Sequence, residues 1–243
     1  MTERTGREHT VDRGPEAWLV ELTVADPPVT WAAAGFTVDG DRVLIGSTTI
    51  RLIGPPSGDR RRGISGWSLA GLAVATGTDG DIDGLPTSFV ARPNAKPPQT
   101  EPRIQSEHAN GVTGIDHVVV QTPDLERTVV ALEAVGLTCR RIRDTTSYDG
   151  SPMRQAFFRL GPTILEVVGA GEAGTGEAAS DRPATWFGIA LDVADLDHTG
   201  VVLGDALGPV KRAVQAGRRI ATLRSQALDL SVAVAVMDDH GDR

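Results

Sequence analysis

The stretch GIDHVVVQTPDLE, residues 114 to 126, decides how this 243-residue chain is read. Its β-branched run predicts a strand over 115 to 121. Pro123 and Asp124 then open a predicted helix over 123 to 135, with Leu125, Val129, Leu132 and Val135 on its apolar face and Gly136 at its end. His117 is out of place in so apolar a strand. Downstream, GPTILEVVG (161 to 169) repeats the oddity, with Glu166 among Ile164, Leu165, Val167 and Val168. The two are either a site or a pair of satisfied polar groups. His117 can be held by Asp116 or by backbone. Glu166 needs an aqueous cleft or a partner, for which His117, Arg154 and Arg159 are in reach.

Working outward, TCRRIRDTT and RQAFFRLG read as strands around the turn SYDGSP (147 to 152), and TILEVVG closes a β-α-β-β-β unit. The unit recurs. LIGSTTIRLIG (44 to 54) aligns with RLGPTILEVVG (159 to 169), so that Gly46 falls on Gly161, Thr48 on Thr163 and Gly54 on Gly169. A further copy starts at WFGIALDVADLDHTG (186 to 200), where VADLD answers TPDLE and predicts a helix near 195 to 207. A truncated one is expected at 66 to 84, its strand over 63 to 72. The expected organisation is a tail (1–15), an N-terminal module with a truncated second half (16–94), a linker (95–112), two βαβββ modules (113–238) and a tail (239–243). The Gly/Ala/Glu-rich run 170 to 184 reads as a crossover between the last two.

Composition narrows the function. At 40% hydrophobic and 23% charged residues the chain reads as soluble and globular. A net charge of -8 argues against nucleic acid as a partner. Cys139 is the only cysteine, so neither an intrachain disulfide nor a thiolate metal cluster forms. MTERTGREHTVDRGPEA does not read as a signal peptide, and no apolar run reaches the roughly 18 residues of a membrane span, so no membrane and a cytoplasmic location are expected. The basic run in GDRRRGISGW reads as solvated, and GDIDGLPTS lacks the spacing of a calcium loop.

The order IDHVVVQTPDLERTVVALEAVGL, then MRQAFFRLGPTILEVVG, resembles the vicinal oxygen chelate superfamily of glyoxalase I, bleomycin- and fosfomycin-resistance proteins and extradiol dioxygenases. The resemblance implies an α+β fold in which paired βαβββ modules form a curved, partly open β-barrel with flanking helices. It also implies a divalent metal (Zn, Ni, Fe or Mn) held by His117 and Glu166, with Glu21 as a further ligand from the N-terminal module. Glu166 would then be the catalytic proton carrier of isomerase or lyase chemistry on a small molecule. Arg154, Phe157 and Tyr148 would contact the substrate, Tyr148 as a lid; which of Phe157 and Phe158 lines the cleft stays open. The sequence departs from the pattern where Gly188 replaces the equivalent of His117, Ala233 or a neighbour that of Glu166, and Arg51 the same place in the N-terminal copy. The alternative is a metal-free binder similar to the bleomycin-resistance branch. An unpaired N-terminal module would pack on the others or on a second copy, as a homodimer.

Overall fold

The computed structural model describes residues 17–55, 62–92, 107–147, 149–171 and 181–239. Residues 1–15, 95–106, 172–180 and Tyr148, to which a tail, a linker, a crossover and a lid were assigned, lie outside them. The chain starts with β1 (Trp18–Val24), α1 (Pro28–Ala33), β2 (Arg42–Ile45) and β3 (Thr48–Leu52). There follow β4 (Ile64–Ala70), β5 (Thr78–Ile82) and β6 (Leu85–Val90). The third unit is β7 (Val112–Thr122), α2 (Leu125–Ala134), β8 (Cys139–Thr146), β9 (Pro152–Leu160) and β10 (Thr163–Ala170). The fourth is β11 (Thr185–Val193), α3 (Leu196–Leu203), β12 (Lys211–Arg212), β13 (Arg218–Thr222) and β14 (Ala233–Asp239).

In every unit the first strand lies parallel to the last: β1 with β3, β4 with β6, β7 with β10, and β11 with β14. Units then join in pairs through their first strands, β1 antiparallel to β4 and β7 to β11. The result is a six-stranded sheet, β2-β3-β1-β4-β6-β5, and an eight-stranded one, β12-β13-β14-β11-β7-β10-β9-β8. The fold is mixed α+β, and neither sheet closes into a barrel.

The repeats seen in sequence have matching local structure. Thr48 donates to the carbonyl of Leu19 at 3.1 Å, and Thr163 to that of Ile115 at the same distance. Gly46 and Gly161 both take positive φ, 59° and 64°, in the turns before those threonines. Asp124 and Asp195 cap α2 and α3, accepting from the backbone N–H of Arg127 and Asp197 at 2.9 Å. Leu125, Leu196, Thr128 and Thr199 are all buried on the inner side of these helices. The first unit departs from the expected βαβββ order. Ala34 to Asp41, between α1 and β2, form no strand, so the unit is βαββ.

Alternation along each strand sends Leu22, Val24, Ile50, Trp67 and Leu69 of one sheet, and Val118, Val120, Phe158, Leu165 and Ile189 of the other, into one apolar core. Trp67 meets Trp186 edge-on there, ring centroids 5.0 Å apart. Polar joints lock the two sheets together. Asp83, in the β5–β6 turn, accepts from Arg127 Nε at 2.8 Å and from the Thr128 hydroxyl of α2. Arg62 bridges buried Asp26 at 3.0 Å and Asp229 at 2.8 Å.

His108 fastens the approach to β7. The Thr37 N–H donates to its Nδ1 at 3.0 Å, so Nε2 carries the proton and donates to the Leu44 carbonyl at 3.0 Å. Burial pushes this imidazole below its ordinary value of 6.5, against the opposing effect of the bond to Leu44. A second proton would set N–H against N–H. The folded-state pKa is depressed, so this contribution is complete above 6.5 and is lost as pH falls from 6.5 through the lower folded value. Denaturant midpoints measured across that range should fall on acidification, and the His108→Gln variant should lose that part of the slope.

Candidate functional site

The strand β7 answers why a histidine stands beside a valine run. Its pairing with β11 sets Ile115 against Leu191 and His117 against Ala190, so Asp116 is an extra residue in a bulge. Ile115 and Val118 remain in the core. Asp116 and His117 both turn to the other face of the sheet, which strict alternation would forbid. On neighbouring β10, Thr163, Leu165 and Val167 are buried, leaving Ile164, Glu166 and Val168 on that same open face. His117 Nε2 and Glu166 Oε2 stand 3.8 Å apart. The gap exceeds a hydrogen bond.

Both members are held from behind. His117 Nδ1 lies 3.0 Å from Asp116 Oδ1, and Arg218 Nη1 of β13 donates to Asp116 Oδ2 at 2.6 Å. Arg218 Nη2 also donates to Asp192 of β11 at 2.5 Å. On the far side Gln155 Nε2 of β9 donates to Glu166 Oε1 at 2.5 Å, and Gln155 Oε1 accepts from Arg143 Nε of β8 at 2.9 Å. A polar line, broken only by that gap, therefore spans seven strands of the sheet from β13 to β8, with one arginine at each end. Phe157, paired across from Glu166, lies on the open face with the Arg143 guanidinium 5.6 Å from its ring centre, and Phe158 is in the core.

The electrostatics follow from this layout. Burial works against ionised Asp116, yet the bonds to His117 and Arg218 outweigh it and hold its pKa at about 2. Burial raises Glu166 above the usual carboxylate range; the imidazole and Arg143 pull it down and Asp116 adds to the rise. Burial and the charge of Asp116 likewise raise Asp192. Ionised Asp116 only accepts, so the His117 proton sits on Nδ1 and the basic Nε2 faces Glu166.

Other residues singled out in the sequence fall elsewhere. Arg154 pairs across from Gly169, on the helix side of the sheet, where it binds Glu126 of α2 and lies 3.3 Å from Asp144. It lies on the face opposite Glu166 and is not its partner. Arg159 shares the open face at the place of Ile164, and its Nη1 donates to the Pro162 carbonyl at 3.4 Å, so it too is not that partner. Gln155, with Arg143 behind it, holds Glu166 instead. Glu21 lies on the open face of the other sheet, and no cluster of three or more His, Cys, Asp or Glu side chains is placed to hold an ion among the described residues. The matching register on β11 and β14 offers Gly188 at the place of His117 and Ala235 at that of Glu166. A Cβ on Gly188 would lie 2.3 Å from the Ala233 carbonyl oxygen, so no side chain fits there as the strands stand. His117 and Glu166 alone fall short of the three protein ligands of a catalytic metal site. The residues do not fit that group.

A triple mutant of 4-hydroxymandelate synthase from Streptomyces coelicolor superposes with a TM-score of 0.62 at 14% identity, covering 94% of this chain and 94% of that one. A xylose isomerase-like TIM barrel/4-hydroxyphenylpyruvate dioxygenase fusion protein matches with a TM-score of 0.60 at 13% identity, over 98% of this chain and 52% of its own length, so the chain spans about half of it. No family model matches the sequence, and neither does any of the curated proteins compared. The fold is that of the vicinal oxygen chelate superfamily. No described helix is long and apolar enough to cross a membrane.

Asp116, only 11% exposed, ties acid stability to the site. Its folded pKa is depressed from 3.8 to about 2, so the contribution is present above 3.8 and lost as pH falls toward 2. At neutral pH it is on the order of 2 kcal/mol. The Asp116→Asn variant should lose about that much in urea unfolding at neutral pH and differ little from the parent near the acid limit.

Proposed function

We propose that the open face of the eight-stranded sheet binds a small organic molecule and that His117 and Glu166 exchange a proton with it. One observation carries the reading: a basic imidazole nitrogen and a partly buried carboxyl stand 3.8 Å apart on the open face, each fixed by a dedicated partner. At that spacing the two do not bond to each other, so a molecule seated between them meets the Nε2 lone pair as acceptor and, beside it, the Glu166 carboxyl, which burial shifts toward its protonated form. Asp116, backed by Arg218, prevents the ring from flipping and stabilises the imidazolium that forms when Nε2 takes a proton. Phe157 lies on the same face, paired across from Glu166.

The substrate class that suits such a pair is a compound whose C–H is acidified by an adjacent carbonyl, and a 2-oxo acid is the simplest. The name 4-hydroxyphenylpyruvate dioxygenase, borne by part of one structural neighbour, points to the same class.

The reading is tested by deuterium incorporation at C3 of pyruvate and phenylpyruvate in heavy water, followed by NMR on chelator-treated protein. The parent should accelerate exchange, and His117→Ala and Glu166→Gln should each lower it by about 10²–10⁴-fold. Arg154→Ala, on the opposite face, should leave it unchanged. Binding of these acids without exchange would identify a sequestering protein instead. Loss of exchange on chelation, with metal found by elemental analysis, would restore the metal-dependent reading.

A further inference from the structure

The six-stranded sheet carries a second cleft, unrelated in chemistry to the first. Its register reproduces that of the other sheet: Thr23 pairs with Arg51 as Val119 pairs with Glu166, and Glu21 with Thr49 as His117 with Ile164. Glu21 thus occupies the place of His117 and Arg51 the place of Glu166. Where one sheet has a base and a carboxyl, the other has a carboxylate and a guanidinium.

These residues line a cavity of about 610 Å³, within the range of small-molecule sites. Besides Asp79, its remaining polar lining is short and hydroxyl-bearing: Thr23, Ser65, Ser68, Thr78, Thr87 and Ser88. A merely solvated sheet face would carry long charged side chains over this ground, and the short ones leave it hollow. Glu21 sits on an interior strand, partly buried, and has no side-chain partner among the described residues. Arg51 does not pair with it. Among the described residues the guanidinium has only a contact of 3.8 Å to Asp41, both side chains about half exposed, which water screens and a ligand can displace. Asp79 is already engaged, accepting from Ser88 at 2.6 Å.

An unpaired carboxylate and a weakly held guanidinium, separated diagonally across adjacent strands over a floor of hydroxyls, call for a ligand of both charges. We propose that this cleft binds a small hydroxylated zwitterion, a free amino acid of the serine type, with its ammonium on Glu21 and its carboxylate on Arg51. The hydroxyls of Thr23, Ser68 and Ser88 line the floor on which its own hydroxyl would rest. This inference does not depend on the reading of the His117–Glu166 site.

Saturation-transfer NMR on the full chain tests it, with L-serine as probe, glycerate as the analogue lacking ammonium and ethanolamine as the one lacking carboxylate. Serine should receive saturation, and each analogue several-fold less. Glu21→Gln and Arg51→Gln should each abolish the serine signal, and His117→Ala should leave it intact. Absence of a serine signal, equal signals from all three compounds, or a signal that survives either substitution overturns the proposal. So does a signal lost in His117→Ala, which would move the zwitterion to the other sheet. The comparison of the three probes on the parent protein decides even where a variant folds poorly.

Discussion

The parallel pairing of the first and last strands of each unit is the constraint on which the rest depends. A threonine hydroxyl fixes it in the two best-matched copies: Thr163 on the Ile115 carbonyl and Thr48 on that of Leu19. With that bond in place, the residue two beyond Ile115 and the residue three beyond Thr163 must lie close together on one face. A slip of one position would turn Glu166 into the core and Leu165 out of it. A buried, unpartnered carboxylate there would cost several kcal/mol. The apolar core and the polar face thus select the same register.

Charge on the eight-stranded sheet is ordered by the same geometry. Asp192, Arg218, Asp116, His117, Glu166, Gln155 and Arg143 each come from a side chain on the open face, and each bridges or faces a neighbour on the next strands. Pairing offsets part of the desolvation cost that each of these partly buried ions carries. The two arginines cover the two ends, and the middle of the line is left with its 3.8 Å gap. The site is therefore held most firmly at its edges and is open where a ligand would enter.

Much of this was legible in the sequence. The alignment of Thr48 on Thr163 and of TPDLE on VADLD located the units, because strands and capped helices leave local signatures. Alternation in ILEVV set Glu166 on the open face. Three features left no such trace. The bulge at Asp116 depends on how β7 meets β11, a pairing across about seventy residues. Arg218 reaches Asp116 from 102 positions away, and nothing near it in the chain marks that partner. Charge and closeness in the hairpin suggest Arg154 as a partner for Glu166. The pairing with Gly169 sends it to the helix side, where Glu126 attracts it. Parity along a strand is readable, but which partner strand sets the phase is not.

Gly188 bears on any redesign of the fold. With the Ala233 carbonyl 2.3 Å from where its Cβ would stand, a side chain there requires β14 to move first, so no single substitution installs a donor at that position. Ala190 pairs directly across from His117 and faces the same way. An engineer wishing to graft a third donor onto this scaffold would begin at that alanine and leave Gly188 alone.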